Sequence, residues 1–146
     1  ETLQEAVREG EVSLVILCGN AGDGKTAFLQ HLAGKLGLGE VPSRDRVWDG
    51  RLVGREVKIN LDGAASWNGR SADELLDELF APFHDGAPTD GRAHLVAVND
   101  GRLLEWIDHS DAARDGRSSP LTEQLTAALD GNGTALDPHI RLIVLN

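Results

Sequence analysis

The sequence has no methionine and a single cysteine, Cys18. Without methionine, Glu1 is not a natural start, and the chain reads as a piece of a larger protein. One cysteine excludes an intrachain disulfide, and Cys18 reads as a small buried hydrophobe. With no cysteine cluster, and with His31, His84, His94, His109 and His139 at no metal-binding spacing, a zinc site is not expected. No apolar run approaches the length needed to span a bilayer. No signal peptide opens the chain. Positive charge is scarce: 14 Lys and Arg stand against 24 Asp and Glu, a net charge of −10. Such a surface opposes non-specific binding to nucleic acid or anionic membranes. No internal repeat or low-complexity stretch is present. These absences fit a cytoplasmic protein, and 146 residues suffice for one domain with a real core.

What is present centres on Gly19-Asn20-Ala21-Gly22-Asp23-Gly24-Lys25-Thr26, which fits G-x-x-x-x-G-K-[ST] without mismatch. Gly19 and Gly24 let the backbone turn where a Cβ would collide with a phosphate. Successive N–H groups then form an anion-binding nest. Lys25 supplies a compact charge for the β- and γ-phosphates, and the Thr26 hydroxyl suits Mg²⁺. A helix starting here adds its dipole and its free N–H groups. Asp23 reads as a solvated side chain pointing away. The run Val12–Cys18 before the motif is apolar and β-branched, as a strand buried on both faces must be. After it, Phe28, Leu29, Leu32 and Leu36 recur at helical spacing, and Gly37 and Gly39 end the helix.

This stretch resembles the Walker A motif of P-loop NTPases. The resemblance implies a three-layer α/β sandwich with a mainly parallel sheet. It implies nucleotide contacts at Gly19, Asn20, Ala21, Gly22, Asp23, Gly24, Lys25, Thr26 and Ala27.

Along the rest of the chain, Thr2 to Gly10 reads as a short helix. Pro42 and Ser43 mark a loop, and Asp49-Gly50 reads as the turn of a small hairpin between Val47-Trp48 and Arg51-Leu52-Val53. Val57 to Asp62 alternates as a strand with one wetter face. Ser71-Ala72-Asp73-Glu74 is a capping box, followed by an apolar face of Leu75, Leu76, Leu79 and Phe80. Ala93–Val98 is a third strand. Gly101 to His109 turns and then becomes helical, and Ser110 to Ser119 reads as a loop. Ser119 and Pro120 start another helix. Ile140–Leu145 is a fourth strand. The expected core is thus a parallel sheet of Val12–Cys18, Val57–Leu61, His94–Val98 and Arg141–Leu145, with truncation after the fourth strand.

Ligands of parallel sheets sit at the carboxyl ends of the strands. Each strand here ends in a polar residue: Cys18-Gly19, Asp62, Asn99-Asp100 and Asn146. In the related ATPases a strand ends in Asp, often Asp-Glu, whereas here it ends in Asn99-Asp100. Asp100 is the expected acid for Mg²⁺ and hydrolysis, because its strand is the more continuously apolar. Asp62, ending a wetter strand, is the fallback. The order of these strands resembles the AAA+ and STAND-type ATPases, which implies a sensor-like role for Asn146. No N-K-x-D guanine-reading motif is present, which disfavours a GTPase.

The expectation is ATP–Mg²⁺ binding through Lys25 and Thr26. Hydrolysis assisted by Asp100 and Asn146 would drive a conformational switch in a larger regulatory or defence-type protein. Further domains of the same chain, and a homo-oligomer, are the expected partners. Two alternatives stay open: a small-molecule phosphotransferase with Arg114 and Arg117 in its lid, and a non-catalytic nucleotide-binding scaffold.

Overall fold

The computed structural model describes residues 2–19, 24–38, 47–52 and 54–145. The elements run α1 (Leu3–Arg8), β1 (Leu14–Gly19), α2 (Lys25–Lys35), β2 (Val47–Leu52), β3 (Arg55–Asn60) and α3 (Ala72–Phe80). They continue as β4 (Ala93–Ala97), α4 (Asp100–Ala113), α5 (Pro120–Leu129) and β5 (Ile140–Leu145). Short 3-10 turns occupy Ala81–Phe83 and Gly133–Ala135. No helix among the described residues is long and apolar enough to cross a membrane.

The five strands form one sheet in the order β2-β3-β4-β1-β5. β1, β3, β4 and β5 run parallel, and β2 pairs antiparallel with β3. The four strands expected from sequence are therefore present and parallel, with ends shifted by one or two residues. The strand leading to Asp100 lies directly beside β1, as expected.

Side chains on a strand alternate between faces, and β1 is buried at every position. Val15 and Leu17 face α1 and α2, meeting Val7, Leu29, Leu32 and Ala33. Leu14, Ile16 and Cys18 face the other layer, meeting Leu76 and Phe80 of α3, Trp106 of α4 and Leu125 of α5. Full burial of each such large side chain stabilises by roughly 1.5–3 kcal/mol. Helices on both faces explain why β1 and β4 read as unbroken apolar runs.

The helix ends follow local chemistry. Thr2, Ser71 and Ser119 close capping boxes at α1, α3 and α5. α2 stops at a Schellman turn: Gly37 takes φ +80°, its N–H donates to Gly34 O, and Leu38 N–H donates to Ala33 O.

Two expectations are corrected. Asp49-Gly50 is not a turn; it lies inside β2, whose register pairs Asp49 with Lys58 and Gly50 with Val57. The reversal falls between Leu52 and Arg55, where Gly54 takes φ +80°. Gly50 serves the strand instead, because the Trp48 ring lies over it where a Cβ would stand. Second, no turn precedes the helix after β4. The Asn99 Oδ1 accepts the Arg102 N–H at 2.7 Å, so α4 starts at Asp100. It runs through Ser110 to Ala113, shortening the expected loop. Val53, Gly39, the Pro42-Ser43 loop, Asn20 to Asp23 and Asn146 lie outside the described residues.

Candidate functional site

The carboxyl end of β4, the start of α2 and the turn after β3 meet at a cleft of about 600 Å³. Lys25, Thr26, Asp62, Ala64 and Asn99 line it, together with Gly24, Ala27 and Gln30.

α2 begins on Gly24 at φ +80°, a residue with no side chain to cap the helix. The amino end of a helix of 11 residues is suited to an anion. Lys25 is half-buried, and its Nζ donates to Gly19 O at 3.1 Å. Thr26 is exposed, and its hydroxyl lies 3.4 Å from Leu61 O, which brings α2 against the end of β3. Asp62 follows directly. Its Oδ1 accepts the Ala64 N–H at 3.0 Å, and its own N–H donates to Asn60 Oδ1 at 3.0 Å. The carboxylate is thus held by the turn it belongs to.

Asp100 has a different setting. It is exposed at the first position of α4 and accepts a hydrogen bond from the Cys18 thiol. Burial first, then the Asp100 charge and hydrogen bond, push the Cys18 thiol up to about 12, against a smaller opposing pull from Lys25. Cys18 is therefore a neutral donor near neutral pH, and the sequence reading of a small buried residue agrees. Asp100 lies within electrostatic reach of that same thiol and stands outside the cleft lining. Thr26 and the two candidate acids thus share one end of the sheet, but Asp62 shares the cleft. β5 reaches Leu145 opposite Gly19.

Other clusters are accounted for by packing. Ser119 and His84 lie 2.7 Å apart, but Ser119 is fully buried and its Oγ caps α5 by accepting the Thr122 N–H. A hollow of about 450 Å³ beside β2 and β3 is walled by ions already paired, Lys58 with Asp49 and Arg92 with Glu56. Arg114 and Arg117 follow the far end of α4. A helix of 14 residues puts them about 20 Å from Asp100, away from the cleft.

Sequence reasoning passed over Gln30 and Ala64 as cleft residues and gave Asn99 no capping role. A cap was legible, since Asn preceding a helical pattern is a start signal. Among the described residues, no group of three His, Cys, Asp or Glu side chains could hold a metal ion. A nucleotide-bound magnesium needs less: one or two carboxylates with phosphate oxygens and waters. A threonine hydroxyl and the Asp62 carboxylate fit that donor set. No family model matches the chain, and no curated protein matches it.

Proposed function

We propose that the chain is a P-loop ATPase module, binding ATP with Mg²⁺ at the cleft between α2 and the ends of β3 and β4. The observation that carries the reading is the start of α2 on Gly24. It places Gly24, Lys25 and Thr26 at the carboxyl edge of a parallel sheet, facing Asp62 and Asn99.

In this reading the α2 N–H groups and Lys25 hold the β- and γ-phosphates. Lys25 would exchange the Gly19 carbonyl for phosphate oxygen. Thr26 and Asp62 hold the magnesium shell, whose charge offsets that of the phosphates. Cleft membership favours Asp62 for this role over Asp100, to which the sequence pattern pointed. Asn99 spends Oδ1 on the α4 cap, which leaves its amide N–H groups to donate into the cleft. Asp100 engages the Cys18 thiol at the end of β1. Turnover drives a switch in a larger regulatory or defence-type protein. The small-molecule phosphotransferase reading is weakened, since Arg114 and Arg117 lie at the far end of α4.

The test is ATP turnover of Asp62→Asn and Asp100→Asn beside the unmodified protein. Asp62→Asn should lower turnover by roughly 10²–10⁴-fold, and Asp100→Asn by much less. The reverse ranking would move the metal-shell acid to Asp100. Tight ATP binding without turnover in the unmodified protein would favour the scaffold reading, on which the uncharged Asn99 is the telling residue.

A further inference from the structure

Arg102 sits in the first turn of α4, its side chain only 13% exposed. Besides a loose pairing with Glu105 on its own helix at 3.9 Å, it makes contact in three directions. Its Nε donates to Gly63 O at 3.4 Å, in the turn that carries Asp62. Its Nη2 pairs with the Asp73 carboxylate in the first turn of α3. Its backbone N–H donates to Asn99 Oδ1, the cleft residue that caps α4. Asp73 is shared in turn with His109, which also meets Asp77, and Asp77 accepts the Trp106 indole N–H at 2.9 Å.

The turn that Arg102 reaches is tightly set. Gly63 N–H donates to Ala97 O at 2.8 Å, and a Cβ on Gly63 would stand 2.9 Å from Val98. The turn is thus pressed onto the end of β4, with Arg102 holding its outward carbonyl. Asp62 Oδ1 is tied to Ala64 N–H within that same turn, so a shift of Gly63 carries the carboxylate with it. An ion pair between two helices accounts for Asp73. It does not account for the Nε spent on Gly63, and only a guanidinium can serve both at once.

We propose that Arg102 is a positioning residue, which sets the Asp62 carboxylate relative to Thr26 and makes the placement of α3 felt at the metal shell. The proposal rests on the reading that Thr26 and Asp62 hold Mg²⁺. It concerns Arg102 alone, which does not line the cleft.

The experiment compares Arg102→Gln, Arg102→Lys and Asp73→Asn with the unmodified protein. Binding of a fluorescent ATP analogue is measured in EDTA and then across a Mg²⁺ titration. Arg102→Gln should raise the half-saturating Mg²⁺ by roughly tenfold to a hundredfold, while binding in EDTA changes by less than about twofold; losing a partner that orients a metal ligand has this scale. Arg102→Lys should recover part of the shift, because an ammonium reaches Asp73 or Gly63 but not both. Asp73→Asn should give a smaller shift, since the Gly63 contact survives. An unchanged Mg²⁺ requirement in Arg102→Gln overturns the proposal, as does an equal loss with and without Mg²⁺. If Arg102→Gln does not fold, Arg102→Lys decides by the same criterion. Failure of the unmodified protein to bind the analogue at all overturns the underlying nucleotide reading, and the proposal with it.

Discussion

Gly63 has no room for a side chain: a Cβ would meet Val98 carbons at 2.9 Å and Ala97 O at 3.3 Å. Gly63→Ala must therefore push the turn off β4. The expected cost is about 1–3 kcal/mol, the scale of overpacking, read from urea unfolding. Magnesium-dependent nucleotide binding should weaken beyond that, because Asp62 moves with the turn. An alanine variant as stable as the parent would contradict this packing. Gly24 poses the opposite case. A Cβ there meets nothing within 4 Å, but the residue sits at φ +80°. Gly24→Ala should cost roughly 1–2 kcal/mol through backbone strain alone. Much at this scale was legible in the sequence, because Gly24, Lys25 and Thr26 each answer a constraint met within a few residues. Arg102 was not legible. Its partners Asp73 and Gly63 lie 29 and 39 residues away in sequence, and no spacing rule joins them.

Continuous apolar runs announce strands, which is why β1, β4 and β5 were found within two residues of their ends. β2 was not, because it is half-exposed and holds Asp49-Gly50, a pair that reads as a turn. Its reason for a glycine is tertiary: the Trp48 ring occupies the space above Gly50 and packs against the core of the α2 face. Gly50→Ala should then destabilise the sheet edge by displacing that ring. The same change in a Trp48→Ala background should cost much less. A double-mutant cycle reads the coupling, expected at about 0.5–3 kcal/mol for residues in contact. Additive losses would show that Gly50 matters for backbone freedom and not for Trp48. The start of α4 teaches a related lesson. Asn99 looked like a metal-site substitution at a strand end, and it is also the cap that lets the helix begin one residue later.

Strand order is a property of the whole molecule, and the sequence showed part of it. Apolar continuity placed Asp100 beside the α2 start, and β4 does lie against β1. Continuity could not reveal that the turn after β3 folds across the end of β4, through Gly63 N–H to Ala97 O, and brings Asp62 into the cleft. The whole fold also carries a pH dependence. Burial holds the pKa values of His84, His94 and His139 below the ordinary histidine value, as their first cause. His94 is neutral while its Nδ1–H donates to Leu79 O at 2.6 Å. The unfolded chain takes up protons near pH 6.5, where the folded chain does not, so stability is present above about 6.5 and lost as pH falls toward the folded values. The Tm should therefore fall between about pH 8 and about pH 5.5, and His94→Gln should flatten part of the slope. A Tm that is level or rises on acidification would contradict it. The central claim is that Lys25 and the start of α2 hold a triphosphate, and calorimetric titration of ATP–Mg²⁺ tests it most directly. The unmodified protein should bind, and Lys25→Ala should weaken binding by roughly tenfold to a hundredfold, the worth of one charge-assisted contact. Equal affinity in the two proteins, or no binding by either, would contradict the account.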